Sequence, residues 1–377
     1  MARLVHITPH AQSGGGMQAV IRQHRELDGA LGHGSKVAAL FEGRSNAAEI
    51  GLGATGAWSV RRIAREFQRQ IVPQVKDAVA IYHNAWGMPW LAPTDGAARR
   101  LAYLHSEWPG LDAAIRSSAR WSDGFIVVSD ALADAVKRVA RDYPVERIAR
   151  ISYAVSAPAG FRNERVARVD GRPFRVGYVG RLEMRQKRVD RLEQLIRAPG
   201  PGIEWHVVGD GVARRQLERA AAPGRVVFHG WLEGVAYWEC VAALDAVVFF
   251  SDYEGTPIAL VEAMSVGVPP LFPAIGGGGE ELARRVNHRC VYPAGDLAAL
   301  ARQLDEILRE NLAGNAIIRA AVSGHTPAAY AAAFDRIVRE TAGRPRHSAA
   351  TGPRAARWSD WLPMAAVRRW HEQAIWR

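Results

Sequence analysis

The sequence contains only two cysteines, Cys240 and Cys290, and they lie far apart without a metal-binding spacing. Disulfide-rich folds and cysteine-based metal centres need more cysteines at closer spacings. Both cysteines fall in or near predicted regular elements, where an isolated thiol behaves as a small apolar side chain. We therefore expect two buried thiols, no disulfide framework and no metal site.

Long apolar runs are also missing. No stretch of about 18 apolar residues occurs, so no transmembrane helix is predicted. The first residues, MARLVHITPH, enter a strand pattern directly and lack the pattern of a signal peptide. Hydrophobic residues make up 48% and charged residues 23% of the 377 residues, which is typical of globular proteins with large cores. We expect a cytoplasmic protein with two domains.

Lysine is scarce: the chain has four lysines among 49 basic residues, and its net charge is +11. The excess is uneven, because residues 1–170 contain 22 basic and 16 acidic residues (+6), residues 171–340 contain 20 of each (0), and residues 341–377 contain 7 and 2 (+5). Such a surface favours anionic partners, among them phospholipid headgroups, lipid-linked diphosphates, acidic glycans and nucleic acid. An arginine-rich proteome accounts for much of the composition, but less well for its asymmetry.

Short strand patterns alternate with helical patterns in both halves of the chain. Strand patterns cover residues 4–8, 35–41, 78–82, 100–105, 124–129, 174–179, 203–208, 226–229, 246–250 and 268–272. Helical patterns cover residues 17–31, 58–75 and 131–139 in the first half, with further helices between the later strands. This alternation predicts an α/β fold with parallel sheets covered on both faces.

The composition also predicts the domain boundaries. Residues 161–173 are polar and charged, which is typical of a linker. We expect an N-terminal domain at 1–165, a C-terminal domain at 174–340, and a basic, Trp-rich tail at 341–377 whose last part, 358–377, forms a helix. Two α/β halves joined by a hinge imply a cleft between them.

The most informative stretch is 251–282, which follows the apolar strand pattern LDAVVFF. Pro257 suits the start of a helix, and a Gly-Val-Pro-Pro sequence ends that helix. Glu254 therefore lies in a strand-to-helix loop, and Glu262 lies on the following helix. A helix N-terminus at the carboxyl end of a parallel strand attracts anions. Carboxylates on either side of such a site are good acceptors for sugar hydroxyls.

Other loops after predicted strands carry glycine or basic residues. A glycine triplet, residues 14–16, follows the first strand and lets backbone come close to a ligand. In VGYVGRLEMRQK, Gly180 and Arg181 end a strand and Lys187 begins the next helix, so the two cations can neutralise a departing diphosphate without a metal. The sequences GDG at 209–211 and HGW at 229–231 also follow strands. Their glycines are equally explained as turn formers.

In this order, the glycine triplet, the GR…K segment, GDG and E-x7-E resemble the motifs of retaining GT-B glycosyltransferases, especially family 4 (group 1). The resemblance implies a GT-B fold, with two Rossmann-like domains facing a central cleft and a C-terminal helix that crosses back to the N-domain. It implies transfer of a hexosyl group from a nucleoside-diphosphate sugar to an acceptor hydroxyl, with retention, in bacterial surface glycan or glycolipid synthesis. No metal or other cofactor is implied.

The resemblance also implies roles for individual residues. The implied catalytic residues are Arg181, Lys187, Glu254 and His105. The implied donor-binding residues are Gly15, Gly16, Gly180, Gly209, Gly211, His229, Gly230, Gly255, Thr256, Pro257, Ile258 and Glu262. In these roles Arg181 and Lys187 hold the leaving diphosphate, Glu254 binds sugar hydroxyls, and Glu262 binds the ribose. Two acids, Glu280 and Glu281, follow a four-glycine run, and the sequence leaves open which of them corresponds to the family's Gly-rich turn.

The resemblance implies a glycan, glycolipid or lipid-linked acceptor and no nucleic acid. The basic first half and the Trp-rich end suit peripheral binding to the anionic inner face of the cytoplasmic membrane. The other interpretation is that the C-terminal aromatic residues pack on the first domain. Two alternative functions stay open, a sugar-nucleotide epimerase of the same fold and a non-catalytic nucleotide-sugar-binding subunit. The intact basic and acidic pairs favour an enzyme.

Overall fold

A computed structural model gives the fold of the chain, and it describes residues 3–11, 16–31, 33–163, 171–197, 200–312, 314–347, 361, 363 and 364. Contacts divide the chain into two compact units. The first unit consists of Met1–Ala154 and Pro327–Arg377, and the second consists of Val155–Thr326. These units differ from the ranges expected from the sequence in two places, because residues 155–165 group with the second unit and residues 327–340 with the first.

The first unit contains a seven-stranded sheet in which all neighbouring strands are parallel. Its strands are β1 (Arg3–Thr8), β2 (Gly34–Ala39), β3 (Ile50–Gly51), β4 (Val79–His83), β5 (Arg99–Leu104), β6 (Gly124–Val127) and β7 (Ile148–Arg150). Its helices before the second unit are α1 (Gly16–Leu31), α2 (Val60–Gln70), α3 (Val72–Val75), α4 (Met88–Leu91), α5 (Leu111–Ser118) and α6 (Asp130–Val139).

The second unit contains a six-stranded sheet, again with parallel neighbours throughout. Its strands are β8 (Phe174–Val179), β9 (Ile203–Val208), β10 (Val226–Gly230), β11 (Ala246–Val248), β12 (Pro270–Ala274) and β13 (Val291–Pro293). Its helices are α7 (Val189–Arg197), α8 (Arg214–Ala220), α9 (Gly234–Ala242), α10 (Ile258–Ser265), α11 (Gly277–Val286), α12 (Leu297–Arg309) and α13 (Ala316–Ala321). The central strands are buried over most of their length; Val176, Val207 and Val247 are all 0% exposed.

Both sheets have the strand order of a doubly wound α/β fold. The first runs β3-β2-β1-β4-β5-β6-β7, and the second runs β10-β9-β8-β11-β12-β13. The order therefore reverses between β1 and β4 in one sheet and between β8 and β11 in the other. Loops that leave the carboxyl ends of strands at such a reversal diverge and form a binding crevice. The predicted α/β class with two parallel sheets is confirmed.

Some elements differ from their predicted bounds. The predicted helix at 58–75 is two helices, α2 and α3, that meet at Ile71. Pro73 lacks the N–H that a continuous helix requires, which explains the break. Strands β3, β7 and β13 were not predicted, because each spans only two or three residues and lacks a periodic apolar pattern.

A last helix, α14 (Pro327–Gly343), returns to the first unit. Its Phe334 is fully buried and lies with its ring centroid 3.9 Å from that of His24 on α1. The guanidinium of Arg99, at the start of β5, donates to the carbonyls of Thr341 at 3.0 Å and Arg344 at 2.8 Å. Helix α14 therefore packs on the first unit, but it is not the helix at 358–377 for which the sequence predicted a return to the first domain.

The helix predicted at 358–377 lies outside the described residues, apart from Trp361, Pro363 and Met364. The Met364 N–H donates to the Trp58 carbonyl at 2.8 Å, and the Arg61 guanidinium lies 3.6 Å from the ring centroid of Trp361. Within the part of the chain that the structure describes, no helix is both long and apolar enough to cross a membrane.

Candidate functional site

The candidate site lies in the second unit, where the strand order reverses between β8 and β11. The loop after β8 contains Gly180, Arg181 and Lys187, and the loop after β11 contains Glu254. Because β8 and β11 are parallel neighbours, their carboxyl ends open these two loops at the same edge of the sheet. The fold thereby brings together Lys187 and Glu254, which lie 67 positions apart in the chain.

Lys187 and Glu254 form an ion pair at this edge. The Ser251 hydroxyl donates a second hydrogen bond to the same Glu254 oxygen, at 2.7 Å. Glu254 is only 6% exposed, so the protein rather than water compensates its charge. A Lys ammonium has three N–H donors, and the bond to Glu254 uses one of them. The pair is neutral overall, but it holds the Lys187 ammonium in place with N–H donors left for an anion.

The loop that carries Lys187 is folded around a carboxylate that the sequence did not single out. Glu183 accepts hydrogen bonds from the backbone N–H groups of Arg185 at 2.9 Å, Gln186 at 3.1 Å and Lys187 at 2.9 Å. The Gln186 side chain in turn donates to the Tyr253 carbonyl at 3.1 Å. Glu183 thus shapes the loop, and Gln186 fastens it to the loop of Glu254.

A cluster of charged residues forms a second set of bonds between the same two loops. The Arg188 guanidinium bonds Asp190 at 2.8 Å and Asp252 at 2.7 Å, and Arg191 bonds Asp252 at 2.6 Å. Hydrogen bonds from Arg188 lower the pKa of Asp190. Arg188 has a φ of 50°, a left-handed conformation that non-glycine residues rarely adopt.

Arg181 is exposed and lies beside the ion pair. Its guanidinium donates to the neutral Gln186 side chain at 3.2 Å, and no carboxylate among the described residues pairs with it. Its carbonyl accepts from the Tyr178 hydroxyl at 2.7 Å. Burial and the nearby Glu254 charge raise the pKa of Tyr178 well above its usual range, so this hydroxyl stays a donor. The Tyr178 hydroxyl thus fixes the backbone of the turn, and the Arg181 guanidinium faces solvent.

The glycines of the GDG sequence are required by packing. Gly209 and Gly211 have φ values of +130° and +157°, and an added Cβ would lie 2.0 Å from the Gly180 oxygen and 2.4 Å from the Leu182 oxygen. Gly180 itself has a φ of +155°. The backbones of the two loops therefore touch, which explains the glycines here as close-approach residues. Whether these loops bind the donor stays a prediction.

Helix α10 begins directly after the loop that contains Glu254. Pro257 caps the helix from an extended conformation, with φ −61° and ψ 126°, rather than occupying its first turn. Thr256 is 5% exposed, and the Gly255 carbonyl accepts from the Gly279 N–H at 3.0 Å. The predicted donor-binding stretch, from Gly255 to Ile258, thus leads directly into the N-terminus of α10.

The four-glycine run is a packed turn at the start of α11. A Cβ on Gly279 would lie 2.3 Å from the Phe272 ring, so a larger residue has no room there. Glu280 accepts from the Gly276 N–H at 2.7 Å and pairs with Arg284 at 2.6 Å. The Glu280 carboxylate is therefore engaged within its own turn. The correspondence of Glu280 or Glu281 to the family's acid stays open.

Glu262, on α10, is partly buried beside α9. The Tyr237 hydroxyl donates to its carboxylate, and burial raises the pKa of Glu262 above its usual range. Sequence reasoning missed Tyr237, because it precedes its partner by 25 positions in an unremarkable apolar helix. The structure thus holds Glu262 separately from Glu254, with its own hydrogen-bond donor.

His229 belongs to a row of polar side chains on β9 and β10. The His229 and His206 rings share a hydrogen bond of 2.9 Å, and His206 bonds Glu204 at 2.7 Å. Burial lowers the pKa of both histidines. The next residue but one, Trp231, is 57% exposed. The predicted donor-binding role of His229 and Gly230 is not tested by this arrangement.

In the first unit, His105 lies in a buried row of histidines that crosses β1, β4 and β5. Hydrogen bonds join His6 Nδ1 to His83 Nε2 at 2.9 Å, His83 Nδ1 to His105 Nε2 at 2.7 Å, and His105 Nδ1 to the Tyr153 hydroxyl at 2.7 Å. Burial lowers the pKa of His105 to about 3. Both ring nitrogens of His105 are engaged inside the unit, and its predicted contact with a donor sugar stays a prediction.

Two predicted positions remain. Gly16 begins α1, as expected for a glycine before a helix, while Gly15 lies outside the described residues. The sequence predicted no metal ligands. Within the described ranges, no group of three or more His, Cys, Asp or Glu side chains is arranged to hold a metal ion.

Comparisons with known proteins relate part of the chain to a family of enzymes. Residues 173–310 match the family model described as "Glycosyl transferases group 1". The chain is 36% identical over 145 residues to the GDP-mannose-dependent alpha-mannosyltransferase of Mycobacterium tuberculosis (strain CDC 1551 / Oshkosh), covering 38% of this chain and 34% of that protein. It is 32% identical over 144 residues to the lipopolysaccharide 1,6-galactosyltransferase of Escherichia coli (strain K12), covering 35% and 38%. These matches span about a third of the relatives' length.

Solved structures extend the likeness to the whole fold. The apo form of the lipopolysaccharide outer core galactosyltransferase WaaB superposes with a TM-score of 0.70 at 17% identity, covering 90% of this chain and 99% of that chain. The Anabaena protein HepE in complex with UDP-glucose superposes with a TM-score of 0.64 at 15% identity and the same coverage. Both units thus share the GT-B fold, and residues 173–310 match the group 1 glycosyltransferase model.

Proposed function

We propose that this chain transfers a hexosyl group from a nucleoside-diphosphate sugar to a hydroxyl of a glycan acceptor, with retention of the anomeric configuration, in bacterial surface glycan synthesis. The observation that carries the proposal is the meeting of Lys187 and Glu254 at the strand reversal of the second sheet, with Arg181 beside them. These residues lie inside the region that matches the group 1 family model.

The proposed step places positive charge where negative charge develops. The bond from the anomeric carbon to the diphosphate oxygen breaks, the bond to the acceptor oxygen forms, and the acceptor proton passes to the departing phosphate. The Lys187 ammonium retains N–H donors that do not bond Glu254, and these donors stabilise the departing diphosphate. The Arg181 guanidinium stabilises the same diphosphate. Glu254 accepts hydrogen bonds from donor-sugar hydroxyls, while Ser251 and Lys187 hold it in place.

Glu262 is proposed to bind the ribose of the donor. Its carboxylate has two oxygens, and the Tyr237 hydroxyl bonds one of them, which fixes the side chain while it leaves acceptor capacity for ribose hydroxyls. The similar proteins do not share one nucleotide, because one relative is named for GDP-mannose and one solved structure contains UDP-glucose. The proposal therefore names no base.

A thermal-shift panel tests the donor site. UDP, GDP, ADP and their common sugar conjugates are added to wild type, to Glu262→Ala, and to Glu239→Ala, which removes an exposed acid from the helix of Tyr237. A nucleotide at 100 times its Kd stabilises the fold by about 2.7 kcal/mol. We expect one base to give a shift that weakens in Glu262→Ala and persists in Glu239→Ala. Absence of a shift with every nucleotide would defeat the proposal.

Product analysis separates transfer from the alternatives. A transferase releases free nucleoside diphosphate and a longer glycan, whereas an epimerase gives a new nucleotide sugar without free nucleotide. A non-catalytic subunit gives neither product. The two curated relatives above are named for mannosyl and galactosyl transfer, which supports the transferase.

We also propose that α2 docks the protein on an anionic membrane surface, where a lipid-linked acceptor resides. Its buried face contains Val60, Ile63 and Phe67, and its solvent face is basic. The exposed arginines of that face are Arg61, Arg62, Arg65 and Arg69. Arg62 lies 4.0 Å from the ring centroid of Trp58. Arginine beside tryptophan suits the headgroup region of a bilayer.

Flotation with phosphatidylglycerol vesicles at low salt tests this docking. We expect wild type to float and the triple variant Arg61→Glu, Arg62→Glu and Arg65→Glu to stay at the bottom. The matched control reverses three exposed arginines of the second unit, Arg215, Arg219 and Arg302, and should still float. Equal flotation of the two triple variants would contradict a specific role for α2.

A further inference from the structure

A group of aromatic side chains at the carboxyl edge of the first sheet has no part in the donor site. Its rings belong to His10, Phe41, Trp86 and Trp90. His10, Phe41 and Trp86 follow β1, β2 and β4, which are neighbours in the sheet. The group therefore occupies the strand reversal of the first sheet, the position where α/β proteins bind ligands.

The rings are in contact but are not sealed in the core. The centroids of His10 and Phe41 are 5.6 Å apart, those of Phe41 and Trp86 5.1 Å, and those of Trp86 and Trp90 5.3 Å. Phe41, Trp86 and Trp90 are each partly exposed, and His10 is exposed. Aromatic residues that only fill the interior of the same sheet, such as Tyr82, are 0% exposed.

The loop that holds Trp86 contains backbone strain. Asn84 and Ala85 have φ values of 52° and 53°, and they are the one adjacent pair of non-glycine residues with positive φ among the described residues. Hydrogen bonds hold this turn in place. The His105 N–H donates to the Asn84 side chain at 2.8 Å. The Ala85 and Trp86 N–H groups donate to the Tyr82 and His83 carbonyls, respectively, both at 3.1 Å. Strain maintained in this way is typical of functional loops.

Polar groups lie beside the rings. The Glu42 carboxylate accepts from the Ala11 N–H at 2.8 Å and lies 3.4 Å from His10 Nδ1. The site therefore combines aromatic surface with fixed hydrogen-bonding groups. Sugars need this combination, because one face of a pyranose ring presents C–H groups that pack on an aromatic ring, while its hydroxyls require polar partners.

We infer that Phe41 and Trp86 form the stacking surface for a sugar ring of the acceptor, so that the acceptor is a glycan with an accessible pyranose ring. This inference rests on the proposed transferase function and assigns its acceptor class. Glu42 and His10 bond hydroxyls of that ring, and the strained Asn84 and Ala85 turn sets the position of Trp86.

Direct binding of small glycosides tests the inference without an activity assay. Saturation-transfer NMR is recorded for the methyl α-pyranosides of mannose, galactose and glucose, with glycerol as the non-sugar probe, in the presence of the nucleotide that gives a thermal shift. We expect saturation of ring C–H protons for at least one glycoside and none for glycerol. Because an aromatic stacking contact changes an equilibrium by up to about tenfold, Trp86→Ala should weaken that binding about tenfold.

Two further variants separate stacking from structural effects. Trp86→Phe keeps an aromatic face and should retain most of the binding, even where Trp86→Ala lowers the melting temperature. Trp361→Ala removes an exposed tryptophan of the same unit, which contacts Arg61, and should bind as wild type does. Unchanged glycoside binding by Trp86→Ala, or no glycoside binding by a wild type that binds nucleotide, overturns the inference. Glycoside binding without any nucleotide shift would instead overturn the proposed donor site.

Discussion

At the residue scale, the ion pair of Lys187 and Glu254 is the centre of the proposed donor site. The bond to Glu254 holds the Lys187 ammonium in place, so in the proposed function this side chain needs little ordering when it binds a diphosphate. Such preorganised charge is the main source of electrostatic catalysis. The same pair also stabilises the fold, because Glu254 is 6% exposed and a buried charge without a partner lowers the free energy of unfolding.

Replacing Lys187 separates these two duties. Lys187→Ala should lower turnover about 10²- to 10³-fold and also lower the free energy of unfolding, because it leaves the Glu254 charge without its cation. The double variant Lys187→Ala and Glu254→Gln should recover stability but not turnover. Both are measured by nucleotide release and by chemical unfolding. Lys137→Ala, which breaks the exposed pair with Asp134, serves as the control, and an equal loss of turnover there would contradict the assigned role.

Gly209 gives a test of the backbone contact beneath the site. Gly209→Ala places a Cβ 2.0 Å from the Gly180 oxygen at a φ of +130°, so we expect it to lower the free energy of unfolding of the second unit by about 2–3 kcal/mol or more. Gly224→Ala is the matched control, because Gly224 also has a positive φ, +68°, but nothing lies within 4 Å of its Cβ position. It should cost only about 1 kcal/mol. Similar losses in urea unfolding would show that the contact is unimportant.

At the scale of elements, the return of α14 links the end of the chain to the first unit. Phe334 packs on His24 and is fully buried, so Phe334→Ala should cost about 3–5 kcal/mol through the cavity it leaves. Hydrogen exchange should accelerate in β1 and α1 but not in β8 or β11. Arg336→Ala, on the exposed side of the same helix, should leave exchange unchanged. Faster exchange in the second unit alone would contradict this assignment.

The elements that were predicted well are those with a strong local pattern. The ten predicted strands and the helix of Glu262 follow apolar patterns that are visible in a short window. The break at Pro73 has a known local cause and was still missed, because the flanking apolar pattern runs on through it. Glu183, Ser251 and Tyr237 were missed for another reason: their roles depend on hydrogen bonds that form only once loops and helices distant in the sequence meet.

At the scale of the whole molecule, buried histidines predict sensitivity to acid. Burial lowers the pKa of His6 and His83 well below the usual range and that of His105 to about 3. An unfolded histidine titrates near 6.5. Below that pH the unfolded chain therefore binds protons that the native first unit does not bind. Stability from this source is complete above pH 6.5 and falls as the pH drops toward 3, by up to about 1.4 kcal/mol per pH unit for each histidine.

Urea unfolding at several pH values measures this slope. We expect wild type to lose stability steadily below pH 6.5. His83→Gln removes one of the buried rings, so its slope should be smaller by up to about 1.4 kcal/mol per pH unit, whatever its stability at neutral pH. The slope rather than the midpoint is the readout, since the variant also breaks two hydrogen bonds of the row. A wild-type stability that is flat between pH 6.5 and 5 would contradict the buried, neutral row.

The sequence by itself determined the α/β class, the two sheets and the loops that carry Arg181, Lys187, Glu254 and Glu262, because hydrophobic periodicity and turn residues act over a few neighbouring positions. It also limited the function to sugar transfer or a close alternative through the order of its motifs. Only the tertiary structure decided which side chains meet. The Lys187 and Glu254 pair, the Tyr237 partner of Glu262, the row that engages His105 and the return of α14 all join residues distant in the chain, and only packing brings them into contact.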